Sequence, residues 1–234
     1  MVDIHCHLLP GIDDGPRSWD KTLQMCEKAV ADGVTHIVAT PHCNHRYSFD
    51  REASQEKLEE LRSKFDRCEF SLGCELNISE KNLSSARANP SLYTINSTRY
   101  VLVEIDYSRL PNQIENALSE LISLGLVPIL AHPERIPLFQ KRIDLVEEWV
   151  SFGCMTAITG GALTGFWGKE AKKLSEALLR EDLVNALVSD GHDPEIRPPL
   201  LESGRQAAAK IVGDKRAMDL VSTNPLAVVR GEVL

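Results

Sequence analysis

Short apolar runs alternate with longer stretches in which apolar residues recur every three or four positions, and this alternation runs the length of the chain. Val2–His7, His36–Thr40, Phe70–Glu75, Tyr100–Ile105, Val127–Ala131, Met155–Thr159 and Val184–Ser189 are of strand length and rich in β-branched and aliphatic residues. Between them, Ser18–Asp32 carries Leu23, Cys26, Ala29 and Val30 on one helical stripe. Helices are also predicted over about Ala53–Arg67, Asn112–Leu124, Arg142–Phe152, Gly168–Arg180 and Glu202–Val212. Strand–helix repetition implies parallel strands joined by crossovers, and seven strands in this length fit a closed barrel better than an open sheet. Segment 77–99, rich in Ser and Asn and containing Asn89-Pro90, breaks the pattern and reads as an irregular loop or short hairpin over the barrel mouth. With no low-complexity run or linker, residues 1–234 read as one domain.

The polar residues at the strand ends are the candidate chemistry. His5 and His7 lie at i and i+2, which point to the same face of a strand. The later strands end in Thr40-Pro41-His42, Gly73-Cys74-Glu75, Val103-Glu104, Ala131-His132-Pro133-Glu134-Arg135 and Ser189-Asp190-Gly191-His192, and Asp13-Asp14 follows the first. In α/β barrels the C-terminal ends of the strands build the active site. Imidazoles and carboxylates without thiolate clusters suit Mn, Fe or Zn, and several carboxylates able to bridge favour more than one ion. Taken singly, each feature is ordinary: Asp-Asp-Gly makes turns, a lone glutamate is usually solvated, and Ser-Asp-Gly-His could cap a helix. Their joint placement on successive strand ends is what points to a metal cluster.

Composition narrows the partners. The chain has 234 residues, 43% hydrophobic and 26% charged, an ordinary globular balance. Lys+Arg 26 against Asp+Glu 34 gives a net charge of −8, which disfavours nucleic acid, since that affinity rests on basic side chains. No apolar stretch approaches the roughly 20 residues a bilayer span needs, and the N-terminus lacks the basic and apolar regions of a secretory leader. A cytoplasmic location without membrane insertion is expected. The six cysteines show no CxxC pair and read as reduced thiols. None has an arginine six positions on, so the CX5R loop of thiol-dependent phosphatases is missing.

Asp3-Ile4-His5-Cys6-His7-Leu8-Leu9-Pro10-Gly11-Ile12-Asp13-Asp14-Gly15 resembles the signature of the bacterial capsule/exopolysaccharide-type (CpsB/CapC-like) tyrosine phosphatases of the polymerase-and-histidinol-phosphatase (PHP) superfamily. Ala39-Thr40-Pro41-His42, the His-Pro-Glu-Arg motif, Gly160-Gly161-Ala162-Leu163-Thr164-Gly165, Ser189-Asp190-Gly191-His192 and Arg197-Pro198-Pro199 extend the likeness over nearly the whole chain. The resemblance implies a distorted (β/α)7 TIM-like barrel of PHP fold, with three Mn²⁺ ions and phosphotyrosine hydrolysis by a metal-activated hydroxide. Fe or Zn are alternatives for the metal. It implies one ion site of His5, His7, Glu75 and Asp190, a second sharing Glu75 with Glu104 and His132, and a third of His42, His192 and an aspartate, with Asp14 favoured over Asp13. Arg135 and Arg197 would grip the substrate phosphate, and His42, His192 and Asp14 would take part in catalysis. The implied substrate is a phosphotyrosine protein, the tyrosine-rich tail of a capsule-assembly kinase.

The chain departs from the family pattern at Cys43, where a second histidine is common, at Ile136, where an aromatic is common, and at Gly191, where alanine is usual. These bear on the pocket rim and substrate preference. The competing functions are a histidinol-phosphate phosphatase of the same superfamily, a non-catalytic metal-bound regulator that captures phosphotyrosine, and a polymerase-associated nuclease. Trp149, Phe152, Leu145 and Val146 read as core, His36 as structural, and His45 as outside the site. Tyr47, Phe49, Phe166 and Trp167 are candidates for the pocket rim.

Overall fold

A computed structural model describes residues 1–234. Its strands are β1 (Val2–Cys6), β2 (His36–Ala39), β3 (His42–Cys43), β4 (Glu69–Leu72), β5 (Glu75–Asn77), β6 (Tyr100–Glu104), β7 (Val127–Ala131), β8 (Met155–Thr159) and β9 (Ala186–Val188). The helices are α1 (Trp19–Ala31), α2 (Arg51–Lys64), α3 (Glu80–Ala88), α4 (Pro111–Ser123), α5 (Pro137–Lys141), α6 (Ile143–Ser151), α7 (Gly160–Thr164), α8 (Gly168–Arg180), α9 (Glu202–Val212), α10 (Asp214–Asp219) and α11 (Thr223–Arg230). Ser18, Asp50 and Ser79 cap the first three helices, each accepting from a backbone N–H three residues on.

All strand pairs are parallel, in two sheets ordered β1-β2-β4 and β3-β5-β6-β7-β8-β9. Two of the seven strand positions therefore hold two short strands each: β3 lies beyond the expected His36–Thr40, and β4 and β5 divide the expected Phe70–Glu75. Pro41 has no N–H for the ladder and interrupts one; Gly73 marks the break in the other, where a Cβ would stand 3.1 Å from Ile95. Backbone bonds cross the seam, from Thr40 N to Cys6 O (2.9 Å), Gly73 N to Ala39 O (2.8 Å) and Glu75 N to Pro41 O (3.1 Å). A bridge between Cys6 and Gly191, with Asp190 N donating to His5 O, joins the last strand to the first. The result is the expected seven-position barrel, and its distortion is located at these two breaks.

The inner core shows the period of two that strands require. Tyr100 and Leu102, Ile129 and Ala131, Met155 and Ala157, and Ala186 and Val188 form one buried cluster. The intervening Val101, Val103, Leu130, Ile158 and Leu187 pack outward with the helices. Val228 and Val229 of α11 join the inner cluster, and Tyr100 donates its hydroxyl to Glu232 O at 2.6 Å, so α11 closes the N-terminal end of the barrel.

Some expectations are corrected. Segment 77–99 is neither loop nor hairpin: it holds α3 and two 3₁₀ turns, Pro90–Tyr93 and Ile95–Ser97. Leu83 and Ala86 form its short buried stripe, and Asn82 turns inward to donate to Cys43 O and Asn77 O. The polar composition hid that stripe. Phe152 is not core: it follows the last turn of α6 and is 59% exposed, whereas Leu145, Val146 and Trp149 are buried as expected. The helices α5, α7, α10 and α11 are too short for a periodic signal.

Candidate metal centre

The residues singled out at the strand ends converge. β1 is irregular, because Asp3 pairs with Ile37 while Cys6 pairs with Ala39, so three steps oppose two. Such a bulge re-aims side chains. It lets Ile4 pack in the inner core while His5 and His7 both reach the centre above it. His132 and Asp190, at the ends of β7 and after β9, sit in the left-handed region at φ 37° and 50°. Non-glycine residues rarely adopt that conformation, and strain of this kind gathers at functional sites.

His5 Nε2 and His7 Nε2 lie 3.3 Å apart, each 3.3 to 3.4 Å from Glu75 Oε2 and 3.4 to 3.5 Å from Asp190 Oδ1. Donors about 2.1 Å from a common ion and arranged as a tetrahedron stand about 3.4 Å apart. Glu75 reaches further: its Oε1 is 2.9 Å from His132 Nε2 and its Oε2 is 2.8 Å from His42 Nδ1. Glu104 Oε2 lies 3.9 Å from His42 Nδ1. On the other side Asp14 Oδ1 is 3.5 Å from His42 Nε2 and 3.3 Å from His192 Nε2. His7, Asp14, His42 and His192 make one group able to hold an ion, His5, His7 and Glu75 a second, and His42, Glu75 and Glu104 a third. All nine candidate ligands are thus brought together, with His42 between two groups. Two of the converging atoms, His42 Nδ1 and Glu75 Oε2, are buried without a hydrogen-bond partner, which fits a metal here.

Asp13 has a different place. Its Oδ2 lies 2.6 Å from His7 Nδ1 and accepts from His42 N at 3.0 Å, while Oδ1 accepts from Gly15 N at 3.0 Å. A carboxylate on the far nitrogen of a ligating imidazole fixes its tautomer and its aim. Glu134, fully buried, also stays outside the cluster: its Oε1 accepts from Thr159 N and Oγ1 at 2.9 and 2.7 Å. Asp13 and Glu134 thus lie outside the expected ligand set, as braces whose partners no sequence pattern marks.

Burial and neighbouring charges act against each other at most of these groups. It pushes Glu75 upward, but His5, His42 and His132 outweigh it and hold the carboxyl well below its usual range. Asp190 is likewise held down against burial, chiefly by Arg135, His5 and Arg197. Burial lowers His5 to about 4, whereas Asp13 and Glu75 hold His7, and Glu75 holds His42, above the usual imidazole range against burial; Glu104 is raised by burial and by Glu75. Metal ligation needs neutral imidazoles and ionised carboxylates, so binding an ion would displace protons from His7, His42 and Glu104.

Arg135 Nη1 and Arg197 Nη2 both meet Asp190 Oδ2, at 2.5 and 2.6 Å. Arg135 Nε and Nη2 and Arg197 Nε are buried and have no acceptor in the protein. A cleft of about 500 Å³ opens beside the cluster, lined by Asp14, His42, His45, Tyr47, Glu104 and His132. Tyr47 lies nearly parallel to His42, with ring centroids 6.0 Å apart. A larger cavity of about 1140 Å³ lies at the opposite end of the barrel, beside His36 and Arg99, and touches none of the cluster. There His36 bonds Ser71 Oγ at 2.8 Å, a structural histidine as expected.

Fold and site define an α/β barrel carrying a His/Asp/Glu cluster able to hold metal at the C-terminal ends of its strands. The chain belongs to the CpsB/CapC family of capsular polysaccharide synthesis, whose family model matches residues 1–230. It is 35% identical to CapC of Staphylococcus aureus, covering 86% of this chain and 81% of that protein. It is 32% identical to the tyrosine-protein phosphatase YwqE of Bacillus subtilis, covering 84% and 79%. A solved structure from a study of YwqE and Streptococcus pneumoniae CpsB, described as metal-dependent tyrosine phosphatases, superposes with a TM-score of 0.93, at 28% identity, over 100% of this chain and 96% of that one. A histidinol phosphate phosphatase from Lactococcus lactis shares the fold at a TM-score of 0.60 and 14% identity, covering 92% and 93%.

Proposed function

We propose that this chain is a metal-dependent protein-tyrosine phosphatase, with residues 1–234 forming one catalytic domain. Family membership supports the reaction class. The observation that carries it is the pair of arginines beside the donor cluster, with three buried N–H groups that no protein acceptor satisfies. Guanidinium forks match phosphate oxygens. The metal ligands are His5, His7, Asp14, His42, Glu75, Glu104, His132, Asp190 and His192, holding three ions. Mn²⁺ is the proposed ion, with Fe and Zn the alternatives the donor set also suits.

When bound, divalent ions supply Lewis acidity, easing deprotonation of water and neutralising charge on a transferring phosphoryl group. The chain's own residues do the rest. Arg135 and Arg197 bind the phosphoryl oxygens and fix their orientation. Asp190 faces the imidazoles with Oδ1 and the arginines with Oδ2, so it ties the phosphate grip to the cluster. Asp13 holds His7 in register. The departing phenolate, whose conjugate acid has a pKa of about 10, takes its proton from water in the cleft, because His42 and His192 are counted among the ligands and a metal-bound imidazole nitrogen has no proton to give. No thiol serves as nucleophile: all six cysteines are buried.

The proposed substrate is the phosphorylated tyrosine-rich tail of a cytoplasmic capsule-assembly kinase, in keeping with the family's place in capsular polysaccharide synthesis. No helix is long and apolar enough to cross a membrane. The test is phosphate release from a phosphotyrosine peptide and from histidinol phosphate by the Mn²⁺-loaded protein. Turnover of the peptide at least tenfold faster is expected; the reverse preference would assign the chain to the histidinol-phosphate reaction instead.

A further inference from the structure

We infer that Trp167 is a positioning residue that holds the two phosphate-gripping arginines in place, an inference resting on the phosphatase reading above. The indole ring lies 3.6 Å from Cζ of Arg135 and 5.1 Å from Cζ of Arg197. Both guanidinium groups therefore sit on one aromatic platform while both point at Asp190 Oδ2.

Arg135 is the more dependent of the two. Asp190 is its one ionic partner, through a single nitrogen, and its Nε and Nη2 have none. A guanidinium tied at one point can still swing about that point. Stacking on a flat indole removes the swing without consuming any N–H, so the free edge stays available to an oxyanion. Arg197 is better tied, since its Nη2 also donates to Asp190 O at 3.1 Å, and it lies further from the ring.

The local sequence is built to present this ring. Gly165 ends α7 at φ 93° and Gly168 opens α8 at φ 89°, so two left-handed glycines bracket Phe166-Trp167. Gly165 N donates to Ala162 O, Phe166 N to Gly161 O and Gly168 N to Gly165 O, which makes the bend rigid. Phe166 takes the outward position, 53% exposed, and stands edge-on to Trp167 with centroids 5.0 Å apart. A Cβ on Gly161 would rest 3.5 Å from Trp167 Nε1, ordinary contact distance, so the indole is seated against α7 as well.

Equilibrium binding of inorganic phosphate to the metal-loaded protein tests the inference, followed by calorimetry and by tryptophan emission. Trp167→Ala should weaken phosphate on the order of tenfold and raise KM for a phosphotyrosine peptide more than it lowers kcat, with metal content unchanged. Trp167→Phe should recover most of the loss. Trp167→Leu, which keeps bulk without the aromatic face, should not recover it, and it decides the matter should the alanine variant fail to fold. Emission of the parent, but not of Trp167→Phe, should respond to phosphate. Parent-like phosphate affinity in Trp167→Leu, with the parent binding phosphate and turning over the peptide, overturns the positioning role alone. A parent protein that neither binds phosphate nor hydrolyses the peptide overturns the phosphatase reading as well.

Discussion

Asp13 shows how much one carboxylate's orientation decides. It and Asp14 are adjacent and chemically identical, and only the family resemblance favoured Asp14; Asp14 faces His42 and His192 while Asp13 turns under His7. The turn that separates them depends on Gly15, where a Cβ would stand 2.6 Å from His7 O. Most of the converging polar residues could be singled out because they end apolar runs; Asp14, in the loop after β1, carries no such mark. The braces could not: whether a carboxylate binds an ion or an imidazole is set by a few ångströms of loop geometry. Losing such a support typically costs ten- to a hundredfold in metal affinity. Asp13→Ala should therefore weaken Mn²⁺ binding by about that factor, while Asp13→Asn, which keeps an acceptor for His7, should lose less. Calorimetric titration of stripped protein measures both, and parent affinity in the alanine variant would show that His7 needs no such support.

At the scale of elements, the apolar runs located all seven strand positions, and Gly168–Arg180 and Glu202–Val212 form the helices expected. What periodicity could not reveal were the breaks at Pro41 and Gly73, which arise from one missing N–H and one crowded Cβ position. Those breaks matter, since they set His42 opposite Glu75 in the register of β3 and β5. The Gly-rich segment Gly160–Gly165 is an equally local device. It forms α7 after β8 and packs so closely on α9 that a Cβ on Gly204 would lie 2.4 Å from Gly160 Cα. Backbone meets backbone there, so no side chain can move to make room. Gly204→Ala should destabilise the protein by about 1–3 kcal/mol, as overpacked cores do, read as an earlier urea unfolding midpoint with an unchanged slope. An unshifted midpoint would mean that α7 and α9 are free to separate.

For the molecule as a whole, the two ends of the barrel are treated oppositely. At the N-terminal end α11 packs Val228 and Val229 onto the inner core, with no metal-ligating cluster, while the C-terminal end gathers imidazoles, carboxylates and two arginines. Glu75 and Asp190 are buried and ionised there, a costly arrangement unless cations compensate them. With a net charge of −8, the protein as a whole repels a phosphorylated substrate, so attraction must be supplied locally by bound metal and by Arg135 and Arg197. Metal dependence is therefore the centre of the account. The most direct measurement is phosphate release from a phosphotyrosine peptide by chelator-stripped protein, before and after Mn²⁺ is added back. Activity should fall by at least a hundredfold on stripping and return as the metal content approaches three ions per chain. Full activity in protein shown to hold no metal would contradict the account.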